Sequence, residues 1–163
     1  MNPRKKSQKI FEGSVATMRF AVVVSRFHDH ITTKLLEGVE HCLHDHGVRE
    51  ENRKVFFCPG AFELPQVANQ LALQKRWDAI ICLGAIIRGD TPHFEYISAE
   101  TARGIQEVAL RYTIPVVFGV LTTDNEQQAL DRVGGPQGHK GWDAAFTALE
   151  MAALFKTLKR RAR

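Results

Sequence analysis

Four short apolar runs, Arg19–Ser25, Lys54–Cys58, Ala79–Gly84 and Val116–Leu121, constrain this chain more than any other feature. They are rich in Val, Ile and Phe and are mostly apolar at odd and even positions alike. A strand that is apolar on both faces must be covered on both, which points to a parallel sheet held between helices. The stretches between the runs are long enough for the helical crossovers that parallel strands need. From about Ile31 to His46, the side chains of Ile31, Leu35, Val39 and Leu43 fall on one stripe at i+4 spacing, and Gly47 is placed to end the helix. A second helix is expected from about Glu63 to Lys75, with Pro65 tolerated in its first turn, and a third from about Phe94 to Tyr112. Thr123-Asp124-Asn125-Glu126 fits a capping box for a short fourth helix ending near Val133. The last helix, Trp142 to about Lys159, carries Phe146, Leu149, Ala153 and Leu154 on its apolar side. The order β-α-β-α-β-α-β-α-α has no repeat, linker or low-complexity insert, and it predicts a single α/β domain over residues 1–163.

Charge narrows the choice of partners. The chain carries 22 Lys+Arg against 18 Asp+Glu, a formal charge of +4. Four of the basic residues lie in 1–9 and five in 156–163, where there are no acids, so residues 10–155 hold 13 basic against 18 acidic, or −5. The two ends (1–9 and 159–163) are expected to be solvated, mobile tails. Lacking interleaved aromatics or a nucleic-acid motif, they do not read as a docking arm, and no nucleic-acid partner is expected. No apolar run approaches the roughly 18 residues that a membrane span needs. The run Phe20 to Val24 is brief and leads to no cleavage site, so no signal peptide is expected. Cys42, Cys58 and Cys82 match no metal spacing and read as reduced, packed thiols of a cytoplasmic protein.

In a parallel sheet the strand-to-helix loops gather at the carboxyl edge, where ligands bind. Four segments are therefore of interest: Arg26–His30, Pro59–Phe62, Ala85–His93 and Thr122–Asp124. Phe27 stands at the end of the first strand, and two readings are open for it, a flat platform for a planar heterocycle or a ring folded back under the first helix. In Pro59-Gly60-Ala61-Phe62-Glu63-Leu64-Pro65, glycine and a helix N-terminus suit recognition of carbonyl edges or a polyol. A tight turn with Glu63 favourable to the helix dipole explains the same residues. The third loop brings Arg88, Gly89, Asp90, Thr91 and His93 together. Thr91 and backbone amides suit an anion, and His93, opening the next helix, suits proton transfer near neutral pH.

Other polar clusters offer less. His41, His44 and His46 supply no complete ligand set, and His28 and His30 read as peripheral, so no metal is expected. Gly134–Gly141 follows a helix and lacks the Gly-Lys-Ser/Thr ending of a phosphate loop. Arg132 and Lys140 beside it still suit a phosphate approached from another direction, while an exposed charge at a helix C-terminus is the plainer reading of Arg132.

Taken together, Ser-Arg-Phe at 25–27, Pro-Gly-Ala-Phe-Glu-Leu-Pro at 59–65, Gly-Ala-Ile-Ile-Arg-Gly-Asp-Thr-Pro-His-Phe-Glu-Tyr at 84–96, Phe-Gly-Val-Leu-Thr-Thr at 118–123 and Gly-His-Lys-Gly at 138–141 closely resemble the lumazine synthase family. They fall in that family's order and cover about residues 10–158. The resemblance implies a flavodoxin-like three-layer sandwich. It also implies a transferase of riboflavin biosynthesis, which condenses 5-amino-6-(D-ribitylamino)uracil with 3,4-dihydroxy-2-butanone 4-phosphate and needs no cofactor or metal. By the same resemblance Phe27 stacks on the pyrimidine, Ala61, Phe62 and Glu63 bind the ribityl chain, and Ala85, Ile86 and Ile87 line the ring pocket. Asp90 and Thr91 correspond to the butanone phosphate site, and His93 to the proton-transfer residue. Phe118 and Arg132 match residues that a neighbouring subunit contributes, Arg132 facing the phosphate, with Lys140 nearby.

This family forms pentamers, in many members assembled into 60-subunit icosahedral shells, and has a functional link to riboflavin synthase. The connection Val133–Gly141 shows no insertion against the shell-forming pattern. Asp90, where the family commonly has Glu or a small residue, and His139, where it commonly has Asn, depart from the family. Two rival readings remain open: a lumazine- or flavin-binding shell protein with little catalysis, and a riboflavin synthase of the lumazine-synthase-like type.

Overall fold

The computed structural model describes residues 15–161. The strands are β1 (Phe20–Ser25), β2 (Arg53–Cys58), β3 (Ala79–Ile87) and β4 (Val116–Thr123), and they form one parallel sheet in the order β2-β1-β3-β4. The principal helices are α1 (Asp29–Asp45), α2 (Leu64–Leu73) and α3 (His93–Tyr112). A five-residue α4 (Glu126–Leu130), a small hairpin of β5 (Val133–Gly135) and β6 (Gly138–His139), and α5 (Lys140–Arg161) complete the chain.

Period-two alternation of the strands divides the core between the two faces of the sheet. Phe20, Val22 and Val24 of β1, with Ile81 and Leu83 of β3, pack against Ile31, Leu35, Val39 and Leu43 of α1 and against Ala144, Ala145, Ala148 and Leu149 of α5. The intervening Ala21, Val23, Ile80 and Cys82 pack instead against Leu64, Ala68 and Leu71 of α2 and Phe94, Ile105 and Val108 of α3. The layers are thus α1 and α5, the sheet, then α2 and α3, a flavodoxin-like sandwich. The chain moves from β1 to β2, then reverses direction to reach β3 and β4. The covering helix changes face at that reversal, as a constant right-handed crossover demands.

Local signals explain where elements stop. Gly47 adopts φ +80°, and its N–H donates to the carbonyl of His44 while that of Val48 donates to Leu43. This left-handed turn satisfies two of the orphan carbonyls of α1, and glycine takes the conformation without a Cβ penalty. Pro65 lies in the first turn of α2.

Several boundaries differ from expectation. β3 runs on to Ile87 and β4 to Thr123, because Gly84 to Ile87 find partners in Val120 to Thr123 and the ladder continues wherever pairing is available. α4 ends at Leu130, short of Val133, since Val133 enters the hairpin. Its cap is the side chain of Asn125, which accepts from the N–H of Gln128; Thr123 is already committed to β4. α5 begins at Lys140 and continues through Arg161, into the span expected as a tail, and its apolar side is mostly alanine, with Leu154 half exposed. The expected tail over residues 1–9 lies outside the described residues. β2 is an edge strand that is only partly covered, with Phe57 exposed.

Candidate active site

Most of the polar and aromatic residues singled out from sequence lie at the carboxyl edge of the sheet, in the loops that follow the strands. Loop backbone ties these connections to each other. The N–H of Arg26 donates to the carbonyl of Cys58 at 2.9 Å and that of Phe27 to Pro59 at 3.1 Å, so the exits of β1 and β2 travel together. The N–H of Arg88 donates to Thr123 at 2.9 Å, doing the same for β3 and β4. Between the two pairs the sheet opens. The β1–β3 ladder stops at Val24 opposite Leu83, whereas the β3–β4 ladder continues to Ile87 opposite Thr123. β3 therefore overhangs β1, and along Gly84 to Ile87 its β1-facing edge is left unpaired by β1 at the point where strand order reverses, the place where open α/β sheets bind ligands.

Phe27, two residues beyond the end of β1, has 67% of its surface exposed. Of the two readings for its ring, burial under α1 is therefore excluded, and that place in the core is taken by Ile31 and Leu35. The neighbouring His28 reverses the chain in the left-handed conformation at φ 59°, a region where histidine is among the better-tolerated residues. Its ring meets that of Phe27 edge to face at 4.7 Å. The buried hydroxyl of Thr32 donates to the carbonyl of Ser25 at 2.8 Å, fixing the start of α1 against the strand end. His30 reaches across to α4, with its Nε2 2.5 Å from Glu126 Oε1.

After β2, Ala61–Glu63 form a single 3-10 turn leading into α2. Ala61 is buried, Phe62 half exposed and Glu63 half buried beside the helix start. The side chains of Ala85 and Ile86 are buried in opposite faces of the core, and Ile87 is half buried, so what these residues offer at the unpaired edge is chiefly backbone. Asp90, Thr91 and His93 are exposed on the loop between β3 and α3, His93 being the first residue of that helix. No hydrogen bond engages the His93 side chain among the described residues, which leaves both ring nitrogens available.

Three other expected residues lie elsewhere in this chain. Phe118 is on the edge strand β4, 42% exposed, on the same face as Val120 and the α2/α3 layer. Arg132 follows α4, where its Nη1 donates to the carbonyl of Gln128 at 2.8 Å. Within the single chain it acts as a cation at a helix C-terminus, favoured there by the helix dipole. The N–H of Lys140 donates to the Arg132 carbonyl at 2.8 Å, and its ammonium pairs with Asp143 at 2.8 Å.

Sequence reasoning missed the connections that hold these loops. Arg88 donates from Nε to Asp124 Oδ1 at 2.8 Å and from Nη1 to Glu95 Oε1 at 2.6 Å, with its guanidinium 4.2 Å above the Phe94 ring. It was expected in the loop but with no partner, because Asp124 is distant in sequence and only strand pairing brings it near. His46, which follows the last turn of α1, packs its ring against Trp142 and Phe146 of α5 at 6.0 and 5.6 Å.

A doubly wound parallel sheet, with an exposed Phe27 and a histidine-bearing loop at its carboxyl edge, defines a flavodoxin-like α/β protein. A family model for 6,7-dimethyl-8-ribityllumazine synthase matches residues 17–156. The 6,7-dimethyl-8-ribityllumazine synthase of Chlorobium chlorochromatii (strain CaD3) is 52% identical over 145 residues, spanning 89% of this chain and 94% of that protein. That of Clostridium kluyveri (strain NBRC 12016) is 46% identical over 153 residues, spanning 93% of this chain and 99% of that protein. The chain belongs to the 6,7-dimethyl-8-ribityllumazine synthase family, transferases of riboflavin biosynthesis.

Proposed function

We propose that this chain condenses 5-amino-6-(D-ribitylamino)uracil with 3,4-dihydroxy-2-butanone 4-phosphate, releasing phosphate and water to form 6,7-dimethyl-8-ribityllumazine. The observation that carries the reading is the exposed Phe27 ring just beyond β1, the strand next to the overhanging edge of β3. A pyrimidinedione needs a flat apolar face and in-plane donors and acceptors; the ring supplies the first and the backbone of Ala85 to Ile87 the second. Ala61, Phe62 and Glu63 serve the ribityl chain from the turn that opens α2. Asp90 and Thr91 receive the phosphate, the Thr91 hydroxyl and nearby amides donating to it.

His93 moves the protons. The substrate amine attacks the ketone, the carbinolamine loses water to give an imine, phosphate leaves, and ring closure expels a second water. Each step transfers a proton, and one imidazole with both nitrogens open can act as acid and then as base. Holding two substrates in register supplies much of the remaining rate, so few residues need be chemically active.

The site is completed by a neighbouring copy, which brings Phe118 and Arg132, with Lys140 close by. Support comes from the exposed Phe118 on an edge strand, separated from β1 by β3 and so presented to another molecule. A contact in which the β4 side of one copy meets the Phe27 side of the next is heterologous, the kind of contact that builds a ring when its rotation closes. The ring is a pentamer, open to assembly into a 60-subunit shell, which light scattering sizes. A cytoplasmic setting suits the three buried cysteines, all free; burial pushes the thiol of Cys42 up to about 12 and that of Cys58 up to about 11.

Absorbance tests the assignment. Incubation with both substrates should yield lumazine, while incubation with lumazine alone should yield no flavin. Flavin in the second reaction would instead make the chain a riboflavin synthase, and no product in either would leave a binding or shell role.

A further inference from the structure

We propose that Arg88 is a positioning residue for this reaction, a three-way clip that holds the loop carrying Asp90, Thr91 and His93 in its working shape. The inference rests on the reading of those residues given above. Arg88 leaves β3 immediately before the loop, and Glu95 lies just beyond it in the first turn of α3. Their ion pair, at 2.6 Å, closes the loop end to end. The second arm of the guanidinium, at 2.8 Å from Asp124, fastens the closed loop to the exit of β4. The flat face of the same group lies 4.2 Å from the ring of Phe94, whose side chain is buried in the α2/α3 core. One side chain thus joins the loop's start, its end, the neighbouring strand and the core.

The loop needs such a device. Gly89 has open space around the position of a Cβ, and Asp90, Thr91, Pro92 and His93 are all exposed, so packing does not define their course. The clip is not chiefly a source of stability, because ion pairs between half-exposed groups contribute little. Its effect is on geometry. A planar fork with fixed donor directions restricts the loop in a way that a point charge on a flexible stem does not. With Nε and Nη1 of Arg88 committed to carboxylates, its effect on the substrates is exerted through the loop.

The test uses Arg88→Met and Arg88→Lys in the full-length assembled protein. Kinetics with both substrates, hydrogen exchange over residues 88–95 and thermal unfolding are measured on each. Arg88→Met should speed exchange across the loop. It should raise KM for the butanone phosphate and lower kcat, each on the order of tenfold, with KM for the ribitylaminouracil and the unfolding midpoint little changed. Arg88→Lys should fall between Arg88→Met and the parent. Asp124→Asn should reproduce part of the effect alone and add little in the Arg88→Met background. It also serves, with Glu95→Gln, if Arg88→Met does not fold.

Unchanged exchange overturns the clip, and so does a parallel rise of both KM values with a lowered midpoint, which is what a merely structural residue would give. Thr91→Val separates this inference from the site it rests on. If Thr91→Val raises KM for the butanone phosphate and Arg88→Met does not, the positioning role alone fails. If Thr91→Val leaves that KM unchanged, the phosphate placement fails, and the clip is judged on kcat through His93.

Discussion

The imidazole of His139 occupies the space above Gly38 so closely that a Cβ on Gly38 would overlap the ring. This contact seats the β5–β6 hairpin on α1 and thereby sets the course of the chain from Arg132 to Lys140. One turn away, Gly141 lies against the carbonyl of Leu35, where a Cβ would strike backbone. Overlap with a side chain is relieved by turning the ring out, whereas overlap with a carbonyl requires α5 to move off α1. Gly38→Ala should therefore cost about 1–3 kcal/mol, and Gly141→Ala more. Denaturant unfolding of the two variants at equal protein concentration checks the order, and equal stability would show that the hairpin and α5 are not held as described.

The same slot makes stability depend on pH. Burial, above all, holds the His139 imidazole below its ordinary value of 6.5, with Asp143 and Glu37 pulling the other way. Its Nδ1 is buried without a hydrogen-bond partner among the described residues. Below 6.5 the unfolded chain therefore binds more protons at this residue than the folded one does, so stability falls as pH drops through that region and is fully present above it. His28 is lowered too, first by burial and then by His30, and acts in the same direction. In His139→Asn the dependence of unfolding free energy on pH should be shallower between about pH 5 and pH 7. An unaltered slope would remove His139 as a contributor.

Phe27 contributes almost nothing to the core, so Phe27→Ala should fold and assemble as the parent does. Loss of a stacking platform is worth about 1–3 kcal/mol per ring, which raises KM for the ribitylaminouracil and leaves that for the butanone phosphate nearly unchanged. The same rise in both constants would argue against stacking.

His93→Ala should slow lumazine formation by about 10²- to 10⁴-fold, the usual contribution of a general acid–base group, with the assembly intact. Arg132→Ala should act mainly on use of the butanone phosphate. A double variant that runs at full rate would overturn both assignments.

Phe118 offers a test of the shared site. Phe118→Asp puts a charge on an exposed aromatic of the edge strand, where the isolated subunit has no need of it. Light scattering should show smaller particles and the activity should fall with them. Parent-sized particles would mean that this face is not an interface.

The main-sheet strands were legible because burial on both faces leaves short continuous apolar runs, and the helices because burial on one face leaves a stripe at i+4 spacing. The core of each strand of the four-stranded sheet was visible, as was the stripe Ile31, Leu35, Val39 and Leu43, all four of them buried, whereas the short β5–β6 hairpin was not. Punctuation such as Gly47 was equally plain, since a left-handed turn has few occupants. The loops at the carboxyl edge could be found from composition and chain order alone, and the motifs within them identified the family. The sequence did not reveal the ends of β3 and β4, because a ladder extends as far as its neighbour allows, and no residue records the neighbour's length. It left the Phe27 ring undecided between core and surface, which depends on whether Ile31 and Leu35 already fill the space beneath α1. Contacts over long separations, Arg88 with Asp124, His30 with Glu126 and His139 with Gly38, have no local signal. They depend on strand order and on the approach of α1 to the hairpin, which only the folded chain sets.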